Sequence, residues 1–259
     1  MADLEQTNDP LERSRDTLFD GSLHCLQYKA GYRFSLDAVL LAHFVCPGKD
    51  ETILDLGAGC GVVGLILLHR AAERIRSLLS FELQPELAQL ARENIRLNQF
   101  EKKMEVVEGD LCHILAYCPP ESFSTVVCNP PFYTVGSGRP SGNDQALIAR
   151  HQVACTLPEI LAAAAAVVKN KGRLVMIYPA EKMGILLGLL PQQRLAVKRM
   201  QLVYSYPEPP TNARLLLLEV VKNGGEGGDI LPPFYIYNHK DGEYSPAMQR
   251  QYEADWSYS

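Results

Sequence analysis

Apolar positions along the chain follow two rhythms. Short, nearly unbroken apolar runs occupy Thr52–Leu56, Arg76–Leu83, Met104–Val107, Phe123–Cys128 and Arg173–Tyr178. Runs of this kind predict strands covered on both faces. Between them lie stretches with helical spacing: Val62–Arg74, Pro85–Leu97 and the alanine-rich Pro158–Val168. Pro85 stands at the first turn of its segment, where a missing N–H costs nothing. Upstream, Tyr32–Phe44 reads as a loop entering an amphipathic helix, with Ser35 as N-cap and Asp37 in the first turn. Strand and helix alternate, so the expected fold class is α/β, a mostly parallel sheet with helices on both faces.

The pattern changes after the fifth run. Arg194–Tyr204 and Ala213–Val221 are β-rich and separated only by a proline-rich link, which predicts an antiparallel hairpin at the sheet edge. Gly224-Gly225-Glu226-Gly227-Gly228 then reads as a flexible hinge. The last thirty or so residues hold five of the 12 tyrosines and predict an extended strap. The organisation expected is a flexible lead-in over 1–20, one domain over 21–222, and a hinge with strap over 223–259.

Composition narrows the class. The chain has 259 residues, 47% hydrophobic and 21% charged, as in an ordinary globular protein. Its net charge of −5 argues against non-specific nucleic-acid binding. That average hides a segment, Arg139 to Lys222, with 11 Lys/Arg against 5 Asp/Glu, on which a polyanion could dock. Seven cysteines are scattered without a CxxC pair, so neither a disulfide framework nor a metal site is expected. The polar start lacks the basic and apolar regions of a signal peptide. No stretch has the apolar length of a membrane span, and a cytoplasmic location is expected.

Two stretches carry candidate chemistry. Asp55-Leu56-Gly57-Ala58-Gly59-Cys60-Gly61 joins the first sheet strand to its helix. Its glycines permit a sharp turn and close approach of a ligand to the backbone, and the helix that follows offers its positive end. Gly59-x-Gly61-x-x-Gly64 matches the dinucleotide string, yet it starts two residues too late, and the copy in register from Gly57 meets Val62. Asp55 would also repel a pyrophosphate, whereas it suits a cationic or amino-bearing ligand such as the methionine part of S-adenosylmethionine. Glu82 closes the second strand, at the place where nucleotide folds put an acid for ribose hydroxyls.

The second stretch is Asn129-Pro130-Pro131-Phe132, at the end of the fourth run. Both prolines lack an N–H and have fixed φ, and Asn129 is pushed toward extended backbone by the proline after it. Carbonyl oxygens there can face one point, where an amino group donates to both. Phe132 adds a flat surface for a planar substrate.

Asp55-x-Gly57-x-Gly59-x-Gly61 resembles motif I of the class I S-adenosylmethionine-dependent methyltransferases, and Asn129-Pro130-Pro131-Phe132 resembles their motif for amino-nitrogen methylation. Further segments, Tyr32–Asp37, Tyr133–Asn143 and Ala149-Arg150-His151, are similar to those of the bacterial tRNA (adenine-N6)-methyltransferases acting beside the anticodon of a valine tRNA. The resemblance implies the Rossmann-like class I methyltransferase fold with a seven-stranded sheet and an antiparallel C-terminal hairpin. It implies S-adenosyl-L-methionine as cofactor, S-adenosyl-L-homocysteine as product, and no metal. Asp37, Asp55, Gly57, Gly59, Gly61, Glu82, Leu83, Asp110, Leu111 and Asn129 would line the cofactor, with Asp110 accepting from the adenine amino group. Asn129, Pro130, Pro131 and Phe132 would hold the target amine. Arg33, Phe132, Tyr133, Arg139, Arg150 and His151 would contact the substrate, a tRNA or other structured RNA, and the protein would act as a monomer. Two further enzymes share the motif: methylation of a protein glutamine or of guanine N2 in rRNA. A binding module without turnover fits poorly, since it would have no use for Asp55, Glu82, Asp110 and Asn129 together.

Overall fold

The structure, a computed structural model, describes residues 12–29, 35–130 and 155–253. Its elements in chain order are β1 (Arg13–Leu18), β2 (Leu23–Tyr28), α1 (Leu36–Phe44), β3 (Glu51–Leu56), α2 (Val62–Ala71), β4 (Ile75–Glu82), α3 (Pro85–Leu97), β5 (Met104–Glu108), a 3-10 turn (Leu111–Ala116) and β6 (Phe123–Cys128). There follow α4 (Leu157–Val167), β7 (Val168–Pro179), α5 (Met183–Leu189), β8 (Leu195–Tyr204), β9 (Leu215–Lys222), the two-residue strands β10 (Asp229–Ile230) and β11 (Phe234–Tyr235), and α6 (Pro246–Arg250).

The main sheet runs β10-β8-β9-β7-β6-β3-β4-β5, with β11 also on β8. The block β7-β6-β3-β4-β5 is parallel, and β9 runs antiparallel to both β7 and β8. This is the Rossmann-like methyltransferase architecture with its antiparallel terminal hairpin. Alternate strand residues enter opposite cores. Ile53, Val127, Val175, Ile177 and Leu217 pack with α1, α2 and α3. Leu54, Leu56, Val126, Leu174, Met176, Leu216 and Leu218 pack with α4 and α5. Burial on both sides explains why these strands show unbroken apolar runs rather than alternation.

The register between β3 and β6 is tied at their beginnings. The Thr52 N–H donates to Ser124 Oγ at 2.9 Å and the Ser124 N–H to Thr52 Oγ1 at 3.1 Å. Ser124 Oγ in turn donates to the Thr52 carbonyl at 2.9 Å. From there the strands run in step to the pair Leu56–Cys128.

Residues 13–20, expected within a flexible lead-in, instead carry strand β1 and the start of its turn into β2, an antiparallel hairpin with Leu18, Phe19, Leu23 and Cys25 buried. Asn94 on α3 and Asn98, the residue that caps the helix one turn later, dock it. Asn94 accepts from the Leu26 N–H at 2.6 Å and donates to the Leu26 carbonyl at 3.0 Å. Asn98 makes the matching pair with His24, at 2.9 and 2.7 Å. Each side-chain amide turns one N–H and its oxygen to the hairpin, so the two stand in for a third strand.

Beyond β9 the chain returns along β8. Lys198 Nζ donates to the carbonyls of Gly225, Glu226 and Gly227 at 2.6, 3.3 and 2.8 Å, and β10 and β11 add short parallel pairings. Among the described residues no helix is long and apolar enough to cross a membrane.

Candidate active site

The carboxyl ends of four neighbouring parallel strands place the candidate residues in one row. Asn129 follows β6, Gly57 follows β3, Glu82 ends β4, and Gly109-Asp110 follow β5. In open α/β sheets this edge is where ligands bind.

Three glycines of the loop after β3 have left-handed φ: 76° at Gly57, 58° at Gly59 and 83° at Gly61. At Gly57 an added Cβ would meet nothing within 4 Å, which leaves that backbone open to a ligand. At Gly61 it would meet Ala91 Cβ and Met104 Cε at 3.3 Å, so this glycine lets α2 pack on its neighbours.

Two buried carboxyls lie beneath the loop. Asp55 is 2% exposed, and the Gly64 N–H in the first turn of α2 donates to it. Among the described residues its Oδ2 has no hydrogen-bond partner. Burial pushes its pKa from 3.8 up to about 7, and the nearby Glu82 carboxylate adds to the rise. Glu82 is 5% exposed, and burial raises its pKa as well. Its Oε2 accepts from the Gly59 N–H at 2.8 Å and its Oε1 from the Gln84 N–H at 2.9 Å. Glu82 thereby fixes the shape of the glycine loop from the adjacent strand, a function that motif spacing did not reveal. Each oxygen keeps a second lone pair for a hydroxyl.

Asp110 caps the 3-10 turn: its Oδ1 accepts from the Cys112 N–H at 2.9 Å, and this bond holds its carboxyl below the usual range. Leu111 is half-buried against the core, while Leu83 is 40% exposed beside Glu82. Together Asp110, Leu83 and Leu111 offer an acceptor and two apolar faces along one edge. Asp37 sits at the start of α1, where the Ser35 hydroxyl accepts from its N–H at 3.3 Å. Burial raises the Asp37 pKa, and Arg214 opposes the rise. The exposed Arg214 precedes β9 beside the end of β7, so Asp37 and Arg214 belong to the same sheet edge. A cation in a proline-rich link carries no motif, so Arg214 was not legible in the sequence.

Asn129 is half-buried and Pro130 buried at the end of β6. Pro131, Phe132, Tyr133, Arg139, Arg150, His151 and Arg33 lie outside the described residues. The basic segment is less available than its charge count suggests. Arg173 pairs with Glu51 at 2.6 Å, Arg199 with Glu219 at 3.0 Å and Lys222 with Glu121 at 3.0 Å. Arg173, Lys198, Arg199 and Lys222 also donate to backbone carbonyls. Much of this charge therefore serves internal contacts.

The residues present fit a nucleoside-bearing cationic cofactor: an open glycine turn, a buried acid with an oxygen that no described residue partners, and a half-buried acceptor after β5. Comparison with known proteins gives a concordant picture. The family model described as "Methyltransferase small domain" matches residues 36–184. A protein of Shewanella halifaxensis named tRNA1(Val) (adenine(37)-N6)-methyltransferase is 27% identical over 235 residues, 87% of this chain and 92% of that protein. One of the same name from Shewanella loihica is 26% identical over 229 residues, 87% of this chain and 90% of that protein. A predicted O-methyltransferase of Agrobacterium tumefaciens shares the fold at a TM-score of 0.68 and 22% identity, with 86% of this chain and 98% of that one covered.

Proposed function

The chain belongs to the methyltransferase small domain family and is an S-adenosylmethionine-dependent methyltransferase; from that premise we propose that it methylates the exocyclic N6 of an adenine in RNA, a tRNA beside the anticodon, in the cytoplasm. The observation that carries the reading is the position of Asn129-Pro130 at the end of β6, next in the row to the open turn at Gly57. The names of the relatives that cover nearly its whole length support the choice of adenine and tRNA.

Asp55, the loop from Gly57 to Gly61, Glu82, Leu83, Asp110 and Leu111 would hold S-adenosylmethionine, with Asp37 at the methionine end. Bound there, the cofactor supplies an electrophilic methyl group on a sulfonium. The remaining work belongs to the chain. An adenine amino nitrogen is a poor nucleophile because its lone pair is delocalised into the ring. The Asn129 side-chain oxygen and the Pro130 carbonyl accept from its two N–H groups, which favours a pyramidal nitrogen and aims the lone pair. Phe132 stacks on the base, a contact typically worth about 1–3 kcal/mol. The adenine is flipped out of its own stack to reach this place. No base stronger than these acceptors is required before attack, because the proton leaves afterwards. Catalysis is thus chiefly positioning. Tyr133, Arg139, Arg150, His151 and Arg33 would grip the RNA, joined by Arg214 on the described edge.

Transfer of labelled methyl from S-adenosylmethionine into total tRNA, ribosomes and release factor tests the reading. N6-methyladenosine in the digested tRNA fraction is expected. Label in a protein band with none in RNA overturns it.

A further inference from the structure

Two thiols from different elements meet beyond the end of β5. Cys112 lies in the 3-10 turn and Cys155 just before α4, and their sulfurs are 3.4 Å apart. The Asp110 carboxylate completes a triangle in which the three donor atoms all lie within 4.8 Å of one another. The chain could not show this arrangement by spacing, because 43 residues separate the two cysteines.

Charge decides what such a triangle is for. Among the described residues the charged side chains that act on Cys155 are Asp110 and Glu159, both carboxylates. On the other side His113 Nδ1 approaches Asp110 Oδ2 at 3.5 Å. A pair of sulfurs in a negative field is a poor place to stabilise a lone thiolate, which needs a cation beside it. It is a good place for a divalent ion that is itself that cation. The spacing agrees. Two sulfurs bound to one tetrahedral zinc at about 2.3 Å stand roughly 3.8 Å apart, whereas a disulfide draws them to about 2.05 Å. Cys112 is exposed, so an ion can reach the triangle from solvent.

We propose that Asp110, Cys112 and Cys155 form a binding site for one divalent cation of the zinc class, with the fourth position left to water or His113. Binding removes a proton from each thiol and leaves no redox change. The site shares Asp110 with the cofactor edge, so the cation and the nucleoside compete. This last clause rests on the cofactor role given to Asp110 under the proposed function, while the metal site itself does not.

The test is titration of the full chain, reduced and freed of metal by chelator, with cobalt(II). Uptake of one equivalent is expected, with near-ultraviolet sulfur-to-cobalt absorption and the intense visible bands of a four-coordinate ion, all abolished by zinc. Cys112→Ser and Cys155→Ser should each weaken binding about tenfold or more, and Cys46→Ser, an exposed thiol elsewhere, should leave it unchanged. Circular dichroism checks that the variants fold. S-adenosylhomocysteine should weaken cobalt binding; equal affinity with and without it overturns the competition. Unchanged affinity in both serine variants overturns the site. So does a reduced chain that takes up no cobalt, or mass spectrometry showing that Cys112 and Cys155 close a disulfide in preference to binding zinc. Because the readout is metal uptake, its failure leaves the assignment of methyl transfer to RNA standing.

Discussion

Asp55 is a residue whose environment strongly distorts its chemistry. Folding moves it from water to a site where the Gly64 N–H is its hydrogen-bond donor and a second carboxylate stands close. The folded chain keeps this proton up to about pH 7, while an unfolded chain releases it near 3.8. Between those values the folded state binds more protons, so its stability falls as pH rises through the window. Urea midpoints of the cofactor-free protein should therefore drop between pH 5 and pH 7.5, and Asp55→Asn should flatten the drop. A slope unchanged by the substitution would show that the proton resides elsewhere. Under the proposed function Asn129 has the opposite character: its part would be positioning rather than the fold. Asn129→Ala should leave S-adenosylhomocysteine binding within a few-fold of the wild type while kcat on tRNA falls on the order of 10²-fold. Retained turnover would remove Asn129 from the mechanism.

At the scale of elements, α3 does more than cover the sheet. Asn94 is fully buried, and besides Leu26 it donates to the carbonyl of Cys60, inside the glycine loop, at 3.0 Å. One side chain thus joins the hairpin to the glycine loop. Asn94→Ala would strand backbone groups of Leu26 and Cys60, at a cost of about 3 kcal/mol, and hydrogen exchange at the Leu26 amide should accelerate more than in β3. Equal acceleration everywhere would mean that the hairpin is not a separate unit. Helix α4 is set by a capping box in which the Glu159 N–H donates to Thr156 Oγ1 and Glu159 Oε2 accepts from the Thr156 N–H. Thr156→Ala should cost about 1 kcal/mol in denaturant unfolding. These contacts also explain the limit of the sequence reading. Strands β3 to β7 were legible because burial on two faces writes itself as unbroken apolar runs. The hairpin was not, because β1 reads Arg-Ser-Arg-Asp-Thr-Leu and its support lies on α3, far along the chain. Helix α5 was equally silent, with Gly184 and Gly188 inside it and Pro191 soon after.

Across the whole molecule, the order of the site was legible because each motif closes its own strand, and parallel strands deliver their ends to one side. What could not be read was how the charges divide. Arg173, Arg199 and Lys222 look in sequence like a surface for a polyanion, yet they pair with Glu51, Glu219 and Glu121, two of which lie outside the basic segment. On the described sheet edge Arg214 is an exposed cation. The reciprocal hydroxyl contacts of Thr52 and Ser124 acquire a larger meaning in this setting. They lie at the far end of β3 and β6 from the reacting atoms, yet they fix how far one strand has advanced past the other. A slip by one residue would carry Asn129 about 3.3 Å along its strand and turn its side chain to the opposite face. The offset between the Gly57 turn and Asn129, at the other end of the same two strands, is thus gauged from the bottom of the sheet.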